Sequence, residues 1–222
     1  NKITIDGKIN DVTIKDITTK NDRHTFYDIT LNINGKMESI VKPTKDELAK
    51  LSKTGKQYEL ETYDKYVKTV YPTIELSNKE WIFNILHKKE ELDKIIYHCD
   101  DFTLLKHPRW SIDKITDLHC LLIIGEKHRH LYSIRELTQS HIKLLKSIEK
   151  TVLDILRDKY QIDSKHIDSY FHYTPSVWHL HIHFRHIENT IETYNKYKLH
   201  DVIQNLTMNK NYYQEATLRV IV

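Results

Sequence analysis

Histidine alternates with apolar residues from position 179 to position 184, and this alternation constrains the fold more than any other feature of the chain. A period of two, with Ile182 and Phe184 among the intervening residues, predicts a β-strand rather than a helix. Successive side chains of a strand point to opposite faces, so His179, His181 and His183 are expected together on one face. Neighbouring imidazoles there would lie about 6–7 Å apart. Such a row can hold a chain of phosphates or a metal ion.

The composition is that of an ordinary globular chain. Its 222 residues suffice for one large domain or for a large and a small one. A net charge of +3 argues against a general nucleic-acid coat protein. No apolar run reaches the roughly 18 residues of a membrane span, and no signal-peptide pattern is visible. Cys99 and Cys120, without a CxxC pair, predict reduced thiols in a cytoplasmic protein.

The first section of the chain is predicted to be rich in β-strands. Residues 3–9 and 27–41 contain Asp-Gly and Asn-Gly between alternating runs, and the second pair, Asn34-Gly35, is the expected turn of a hairpin. Residues 44–47 form a capping-box pattern for a short helix. Residues 58–72 are predicted to be an irregular or extended link. We therefore expect a small β-rich N-terminal domain over residues 1–70 and a larger domain over residues 71–222.

The larger domain is predicted to be an antiparallel sheet backed by one long helix. A second capping box from Ser77 to Glu80 precedes a short amphipathic helix that carries Trp81. Apolar spacing predicts the long helix over residues 138–160 and another near residues 200–206. Strands are predicted at residues 95–97, 102–105, 120–124, 167–173, 179–184 and 216–222. The expected fold class is α+β.

Three interpretations of the histidine row are open. The imidazoles could simply face solvent, although three of them on one strand face would be unusual. A zinc site would need three or four ligands at about 2.0–2.1 Å, with His172, His186 or a carboxylate completing the shell. Phosphoryl transfer needs one imidazole as nucleophile or base between donors to phosphate oxygens, and the middle residue, His181, suits this role best.

Other residues allow both a structural and a functional interpretation. Ser176 follows a proline, as turn residues often do, but its hydroxyl could also donate to a phosphate oxygen. Trp81 on an apolar stripe is more often a core residue than a platform for a base. The basic runs at residues 106–109 and 127–130 each follow an apolar strand, so each is either a surface loop or a phosphate site.

The histidine row also carries a resemblance to a known family. With Ser176 ahead of it, the row resembles the histidine triad motif of nucleotide hydrolases and transferases. The phrase His-Tyr-Thr-Pro-Ser, from His172 to Ser176, is more specifically similar to the scavenger mRNA decapping enzyme family. Further similar stretches follow the family order at residues 81–86, 88–91, 102–110, 117–118, 133–138, 205–206 and 213–218. The triad alone would indicate only the wider superfamily.

The resemblance implies a fold like that of histidine triad proteins and a cap-hydrolysing activity without a metal or another cofactor. The substrate would be the 7-methylguanosine cap dinucleotide or a short capped RNA. His181 would attack the phosphate attached to 7-methylguanosine, and water would then release 7-methylguanosine monophosphate, the other product being a diphosphate. The remaining candidate catalytic residues are His179, His183, Ser176 and His172.

The resemblance also implies residues that bind the substrate. Trp81 would stack on the methylated base, whose positive charge strengthens its interaction with indole. Glu91 would accept hydrogen bonds from the guanine edge. The other candidate contacts are Asn21, Lys45, Lys106, Pro108 and Arg109.

This chain departs from the family pattern at several positions near the expected substrate. Pro108 stands in place of a leucine opposite the stacking tryptophan, and His119 and Val177 stand in place of tyrosines near the phosphates. The other departures are His24, Lys106 and His107. Since the triad, Trp81 and Glu91 are retained, we expect the chemistry to be retained.

The resemblance further implies a homodimer with exchanged N-terminal segments, located in the cytoplasm or also in the nucleus, with no membrane partner. Two other functions are open. One is a broader histidine triad hydrolase of dinucleoside polyphosphates or nucleoside phosphoramidates, which would be indifferent to the 7-methyl group. The other is a cap-binding protein with little turnover.

Overall fold

The computed structural model describes residues 13–20, 24–30, 34–40, 58–74, 76–77, 79–107, 110, 114–189 and 195–221. The chain divides into two compact units, residues 1–55 and residues 56–222. Residues 58–70, which the sequence analysis assigned to the first domain, fall in the second unit. Within the described ranges, no helix combines the length and the apolar character needed to cross a membrane.

The first unit contains a three-stranded antiparallel sheet. Its strands are β1 (Thr13–Lys20), β2 (His24–Thr30) and β3 (Asn34–Ile40), and β2 lies in the middle. The pairing of β2 with β3 confirms the predicted hairpin, but Asn34 pairs with Thr30. The predicted turn at Asn34-Gly35 is therefore wrong, because both residues start β3 and the connection precedes them. The elements predicted at residues 3–9 and 44–51 lie outside the described residues.

The second unit begins with a short strand and a helical segment. The strand is β4 (Tyr58–Glu61), and the segment comprises α1 (Tyr63–Lys65), a π-helical turn (Tyr66–Val70) and α2 (Tyr71–Ile74). The predicted irregular or extended structure of residues 58–72 is therefore wrong beyond β4. The Thr62 hydroxyl accepts a hydrogen bond from the Lys65 backbone N–H at 3.2 Å and caps the first turn. Tyr66 and Ile74 are fully buried, and such tertiary contacts override weak local propensity.

A six-stranded antiparallel sheet follows along the chain. Its strands are β5 (Ile95–His98), β6 (Phe102–Lys106), β7 (His119–Ile124), β8 (Ile167–His172), β9 (His181–His186) and β10 (Lys196–Lys198). Their order across the sheet is β10-β8-β9-β7-β6-β5, so the histidine strand β9 lies between β8 and β7. The strand β10 was not predicted, whereas every strand predicted for the larger domain is present, although β9 begins at His181 instead of residue 179. The last one, β11 (Leu218–Ile221), pairs with β4 in a separate two-stranded sheet.

The second unit also contains α3 (Glu80–Leu86), α4 (Ile142–Tyr160), α5 (Leu199–Met208) and α6 (Tyr212–Glu215). The long predicted helix is confirmed as α4, preceded by a 3₁₀ turn that Thr138 caps. The predicted capping box at Ser77 is wrong, because the Ser77 hydroxyl donates to the Ile74 carbonyl at 2.6 Å. Ser77 is therefore bonded to the last residue of α2, and the N-cap residue of α3 is Lys79.

The two faces of the six-stranded sheet pack against different helices. The residues of one face, which belong to the large core with α4 and α5, include Leu104, Cys120, Leu122, Ile182 and Phe184. The residues of the other face, which pack with α3, include Leu105, Leu121 and Ile123. His181 pairs with Ile123 and His183 with Leu121 across the β7–β9 ladder. Cross-strand partners share a face, so both histidines lie on the α3 face.

Candidate active site

The strand that carries the histidines begins at His181, two residues later than predicted. The Leu180 N–H donates to the Leu131 carbonyl at 2.8 Å, so the backbone turns away from the regular ladder there. His179 is buried beyond the end of the strand, and its Nε2 donates to the Ile124 carbonyl at 2.8 Å, where β7 ends. The prediction that His179 belongs to this strand is therefore wrong, although its ring lies on the side of the sheet where α3 packs, with Phe83 edge-on at 6.0 Å.

A glycine holds this end of β7 in place. The Gly125 N–H donates to the Asp101 carbonyl at 2.6 Å. A Cβ atom at this position would lie 2.1 Å from the Asp100 carbonyl oxygen, far closer than Cβ atoms approach such groups. Only glycine allows this close approach of two backbone segments. The contact therefore fixes the position of the neighbouring Ile124 carbonyl, which accepts the hydrogen bond from His179.

The hydrogen bonding of His181 determines which of its nitrogens can react. Its Nδ1 donates to the His179 carbonyl at 2.8 Å, because a carbonyl oxygen can only accept. In the neutral ring, Nε2 then carries the lone pair. Burial lowers the pKa of His181 below its usual range, which favours the neutral ring near pH 7. His181 therefore presents an unprotonated nitrogen, as a nucleophile must.

His183 lies at the centre of a cluster of aromatic rings. The Tyr170 ring of β8 stacks on it with centroids 5.3 Å apart, and the His172 ring meets it edge-on at 4.6 Å. Its Nδ1 lies 2.9 Å from Nε2 of the buried His119 on β7, a hydrogen bond between two imidazoles. Burial holds the pKa of His183 well below its usual range, with further lowering by the imidazoles of His181, His119, His172 and His107. His183 is therefore a neutral ring.

Four residues of this region were not among the predicted site residues. His107 stacks on His119 with centroids 3.8 Å apart, and the buried Arg185 of β9 donates from Nη1 to the Tyr170 hydroxyl at 3.1 Å. Sequence reasoning treated His119 only as a departure from the family pattern and His107 as a departure within the basic run 106–109, and it missed Tyr170 and Arg185. The available signal was strand pairing, because Tyr170 is the β8 partner of His183 and partners share a face.

Trp81 lies on α3, the helix that packs on the histidine face. It is half-buried, and it packs together with Val177 against the apolar cluster that includes Ile123. Phe83 of the same helix meets the His179 ring edge-on at 6.0 Å. Since Ile123 pairs with His181, α3 holds Trp81 on the same side of the sheet as the candidate nucleophile.

Three further predicted site residues are described, each in a different setting. The Glu91 carboxylate is 3.3 Å from the Lys94 ammonium. The backbone of Glu91 has a φ of 53°, in the left-handed region. Lys106 ends β6 on the face opposite the histidines, with its ammonium 5.6 Å from the Trp110 ring centroid. Ser176 is exposed in the segment between β8 and β9. The remaining predicted contacts, Asn21, Lys45, Pro108 and Arg109, lie outside the described residues.

In the part of the chain that the structure describes, no group of three or more histidine, cysteine or carboxylate side chains is placed to hold a metal ion. His186, a ligand in the zinc interpretation, lies on the opposite face of β9 and stacks on His166 at 5.7 Å. The histidines of the α3 face instead contact one another through rings and a hydrogen bond. Imidazole N–H groups arranged in this way are suited to binding phosphate oxygens.

The second unit is an α+β domain in which an antiparallel sheet carries the histidine strand in its middle and one long helix packs against one face. A family model described as "Scavenger mRNA decapping enzyme C-term binding" matches residues 80–215. A Caenorhabditis elegans protein named m7GpppX diphosphatase is 32% identical over 213 residues, which are 90% of this chain and 68% of that protein. The chain belongs to the scavenger mRNA decapping enzyme family, as the sequence resemblance indicated.

Two other matches define the extent of the similarity. The human m7GpppX diphosphatase is 29% identical over 210 residues, which are 89% of this chain and 62% of that protein. A substantial part of each relative therefore lies outside the match. Among solved structures, that of the aprataxin ortholog Hnt3 from Schizosaccharomyces pombe has a TM-score of 0.40 and 17% identity, and covers 61% of this chain and 82% of that one.

Proposed function

We propose that this protein hydrolyses the triphosphate bridge of the 7-methylguanosine cap dinucleotide or of a short capped RNA. The observation that carries the proposal is the hydrogen bond from His181 Nδ1 to the His179 carbonyl at 2.8 Å, which leaves Nε2 as the unprotonated nitrogen. The name of the worm and human relatives, m7GpppX diphosphatase, supports the substrate class.

In the first step, Nε2 of His181 attacks the phosphorus attached to 7-methylguanosine. A P–N bond forms while the bond to the bridging oxygen breaks, so the nucleoside diphosphate or RNA diphosphate leaves with the electron pair. The imidazole gains positive charge in this step. Its Nδ1–H continues to donate to the His179 carbonyl, which stabilises that charge.

In the second step, water attacks the same phosphorus and the P–N bond breaks. The electron pair returns to Nε2, 7-methylguanosine monophosphate leaves, and the proton lost by water passes to solvent. Charge on the phosphoryl oxygens is stabilised in both steps by the His183 N–H and the Ser176 hydroxyl. His172 positions the His183 ring by its edge-on contact, and His179 positions the carbonyl that holds His181.

The base is bound at the α3 side of the site. Trp81 is half-buried, so part of its indole face is available to stack on the cationic base, an interaction of about 0.5–2 kcal/mol. Glu91 accepts hydrogen bonds from the guanine edge. The remaining proposed contacts to base and phosphates are Asn21, Lys45, Pro108 and Arg109. Lys106 is not proposed as a contact, because it lies on the face of the sheet opposite the histidines.

The test is a product assay in oxygen-18 water with the cap dinucleotide, with and without EDTA. We expect oxygen-18 in 7-methylguanosine monophosphate and none in the diphosphate, because water attacks only the phosphorus next to 7-methylguanosine. His181→Asn should lower turnover by at least about a thousandfold, since the nucleophile is lost. The matched control is His200→Asn, on the exposed side of α5.

Three results would overturn the proposal in distinct ways. Label in the diphosphate would mean that the other phosphorus is attacked. Equal turnover of an unmethylated guanosine analogue would indicate the broader triad hydrolase. Tight cap binding without products would indicate a cap-binding protein.

We also propose that the protein is a homodimer with exchanged N-terminal segments, acting in the cytoplasm or also in the nucleus. Exposed apolar side chains near the start of the second unit support an interface there, since burying them against a partner would remove apolar area from water. They are 39–86% exposed and comprise Tyr58, Leu60, Val67, Tyr71 and Leu76. Light scattering of the full chain, compared with Leu60→Asp, tests this assembly.

A further inference from the structure

The hydrogen bond between His119 and His183 has two possible directions. Nε2 of His119 and Nδ1 of His183 lie 2.9 Å apart, and one hydrogen is shared between them. A neutral His183 has only one N–H group. If this hydrogen were on Nδ1 of His183, it would be donated to Nε2 of His119, and Nε2 of His183 could then only accept a hydrogen bond.

Phosphate chemistry distinguishes the two directions. The phosphoryl oxygens of a substrate are acceptors, so His183 can bind them only through an N–H donor. With Nδ1 engaged by His119, that donor must be Nε2–H. His183 then needs its Nδ1 to accept, which requires His119 to donate.

We propose that His119 is a positioning residue, whose Nε2–H donates to Nδ1 of His183 and holds His183 in the Nε2–H form that donates to a phosphoryl oxygen. The inference rests on the proposed cap hydrolysis for its functional consequence. It assigns a role to a residue at which this chain departs from the family pattern.

The surroundings of His119 hold its ring in one orientation. The ring is 5% exposed, and His107 stacks on it with centroids 3.8 Å apart and planes inclined by 12°. The His107 backbone N–H also donates to the His119 carbonyl at 2.9 Å, which ties the segment after β6 to the start of β7. Rotation of His119 away from His183 would break this stack. His107 is therefore a second positioning residue.

Burial and four neighbouring imidazoles favour a neutral His183 ring. Protonating His183 would place a cation among other bases, which opposes protonation as burial does. These imidazoles are those of His181 on β9, His172 on β8, His119 on β7 and His107 after β6. Tyr170 on β8 stacks on the His183 ring, Arg185 donates to the Tyr170 hydroxyl, and the Lys196 ammonium lies 4.5 Å from the Tyr170 ring centroid. The positive charge of Lys79, at the start of α3, likewise lowers the pKa of His179.

The direct test is the tautomer of His183 in the unmodified full-length protein labelled with nitrogen-15 histidine. Long-range nitrogen–proton correlation spectra distinguish protonated from bare ring nitrogens. We expect Nε2 of His183 and Nε2 of His119 to carry hydrogens and Nδ1 of His183 to be bare. A hydrogen on Nδ1 of His183 would overturn the inference.

The second test compares three substitutions that differ in where they place a donor. His119→Gln offers an amide N–H close to the former Nε2, His119→Asn offers one at the position of Nδ1, and His119→Phe offers none. We expect kcat for cap hydrolysis to fall about 10- to 100-fold in the Phe and Asn variants, with a smaller change in KM. The Gln variant should recover most of the loss.

Equal kcat in the Gln and Phe variants would show that His119 acts only by filling space, which contradicts the proposal. Thermal unfolding of each variant establishes that it is folded before its kinetics are compared. The tautomer of His183 can be measured by NMR whether or not the protein hydrolyses the cap. An unmodified protein that shows the expected tautomer but does not hydrolyse the cap would therefore reject the proposed function alone.

Discussion

The histidines of the site are kept neutral by burial, and neutrality is what the proposed chemistry needs from them. Burial lowers the pKa of His179 to about 4, although the hydrogen bond to the Ile124 carbonyl partly opposes this change. Burial also lowers the pKa values of His181 and His183. A protonated His181 would have no lone pair for attack, so activity should decline as acid protonates the site.

The same burial makes folding stability depend on pH. The unfolded chain protonates His179 below its ordinary pKa of 6.5, whereas the folded protein does so only near 4. The contribution of His179 to the free energy of unfolding is therefore fully present above pH 6.5. As the pH is lowered from 6.5 to about 4, this contribution should fall by about 1.4 kcal/mol per pH unit. Urea unfolding across this range should show a shallower decline for His179→Gln, which keeps a donor for Ile124. Identical pH dependence in both proteins would contradict this expectation.

The short strand β4 is joined to the C-terminal elements through one buried arginine. Arg135 donates from Nη2 to the Glu61 carboxylate at 2.9 Å and to the Glu61 carbonyl at 2.7 Å. Its Nη1 donates to the carbonyls of Tyr213 and Ala216, both at 2.8 Å. Both charged side chains are almost fully buried. Four backbone or carboxylate acceptors therefore depend on a single guanidinium.

Arg135→Met should lower the free energy of unfolding by about 3–5 kcal/mol, because the Glu61 carboxylate would remain buried without its cation. The measurement is urea unfolding followed by circular dichroism. The matched control is Arg157→Met on α4, which removes two ion pairs, to Asp154 and Asp158, of an arginine side chain that is 61% exposed. We expect a loss of less than about 1 kcal/mol there. Similar losses in the two variants would mean that the buried network is not a main source of stability.

The two compact units divide the proposed functions of the whole molecule. The ring cluster around His183 and the apolar cores on both faces of the sheet lie within residues 56–222. The family match at residues 80–215 falls inside this unit as well. The predicted substrate contacts Asn21 and Lys45 belong to the first unit. Removing the first unit should therefore weaken substrate binding while leaving the catalytic histidines in place.

A protein consisting of residues 56–222 should therefore fold cooperatively by itself, since it contains its own core. Its KM for the cap dinucleotide should rise by about tenfold or more, as the loss of one or two polar contacts predicts. Thermal unfolding and steady-state kinetics measure the two effects. Asn21→Ala and Lys45→Ala in the full chain are the matched variants. An unchanged KM after truncation would place substrate recognition wholly in the second unit.

Features with a local period could be predicted from the sequence. The long helix α4 and the face shared by His181 and His183 follow from spacings of about 3.6 and 2 residues, and strands β5 to β9 follow from alternation or a short apolar run. The edge strand β10 was not predicted. The family motifs likewise consist of neighbouring residues, and they were sufficient to indicate the family. The helical segment from Tyr63 to Ile74 was missed, because it depends on burying Tyr66 and Ile74 rather than on a local pattern.

The contacts that make the histidines a site were decided by the tertiary structure alone. His119 and His183 are 64 residues apart in the chain and meet through the register of β7 against β9. Where β9 begins, and hence where His179 lies, depends on bonds from Leu180 to Leu131 and from His179 to Ile124. Strand register and such partners are set by how distant segments pack together, whereas periodicity reports only which face a residue occupies.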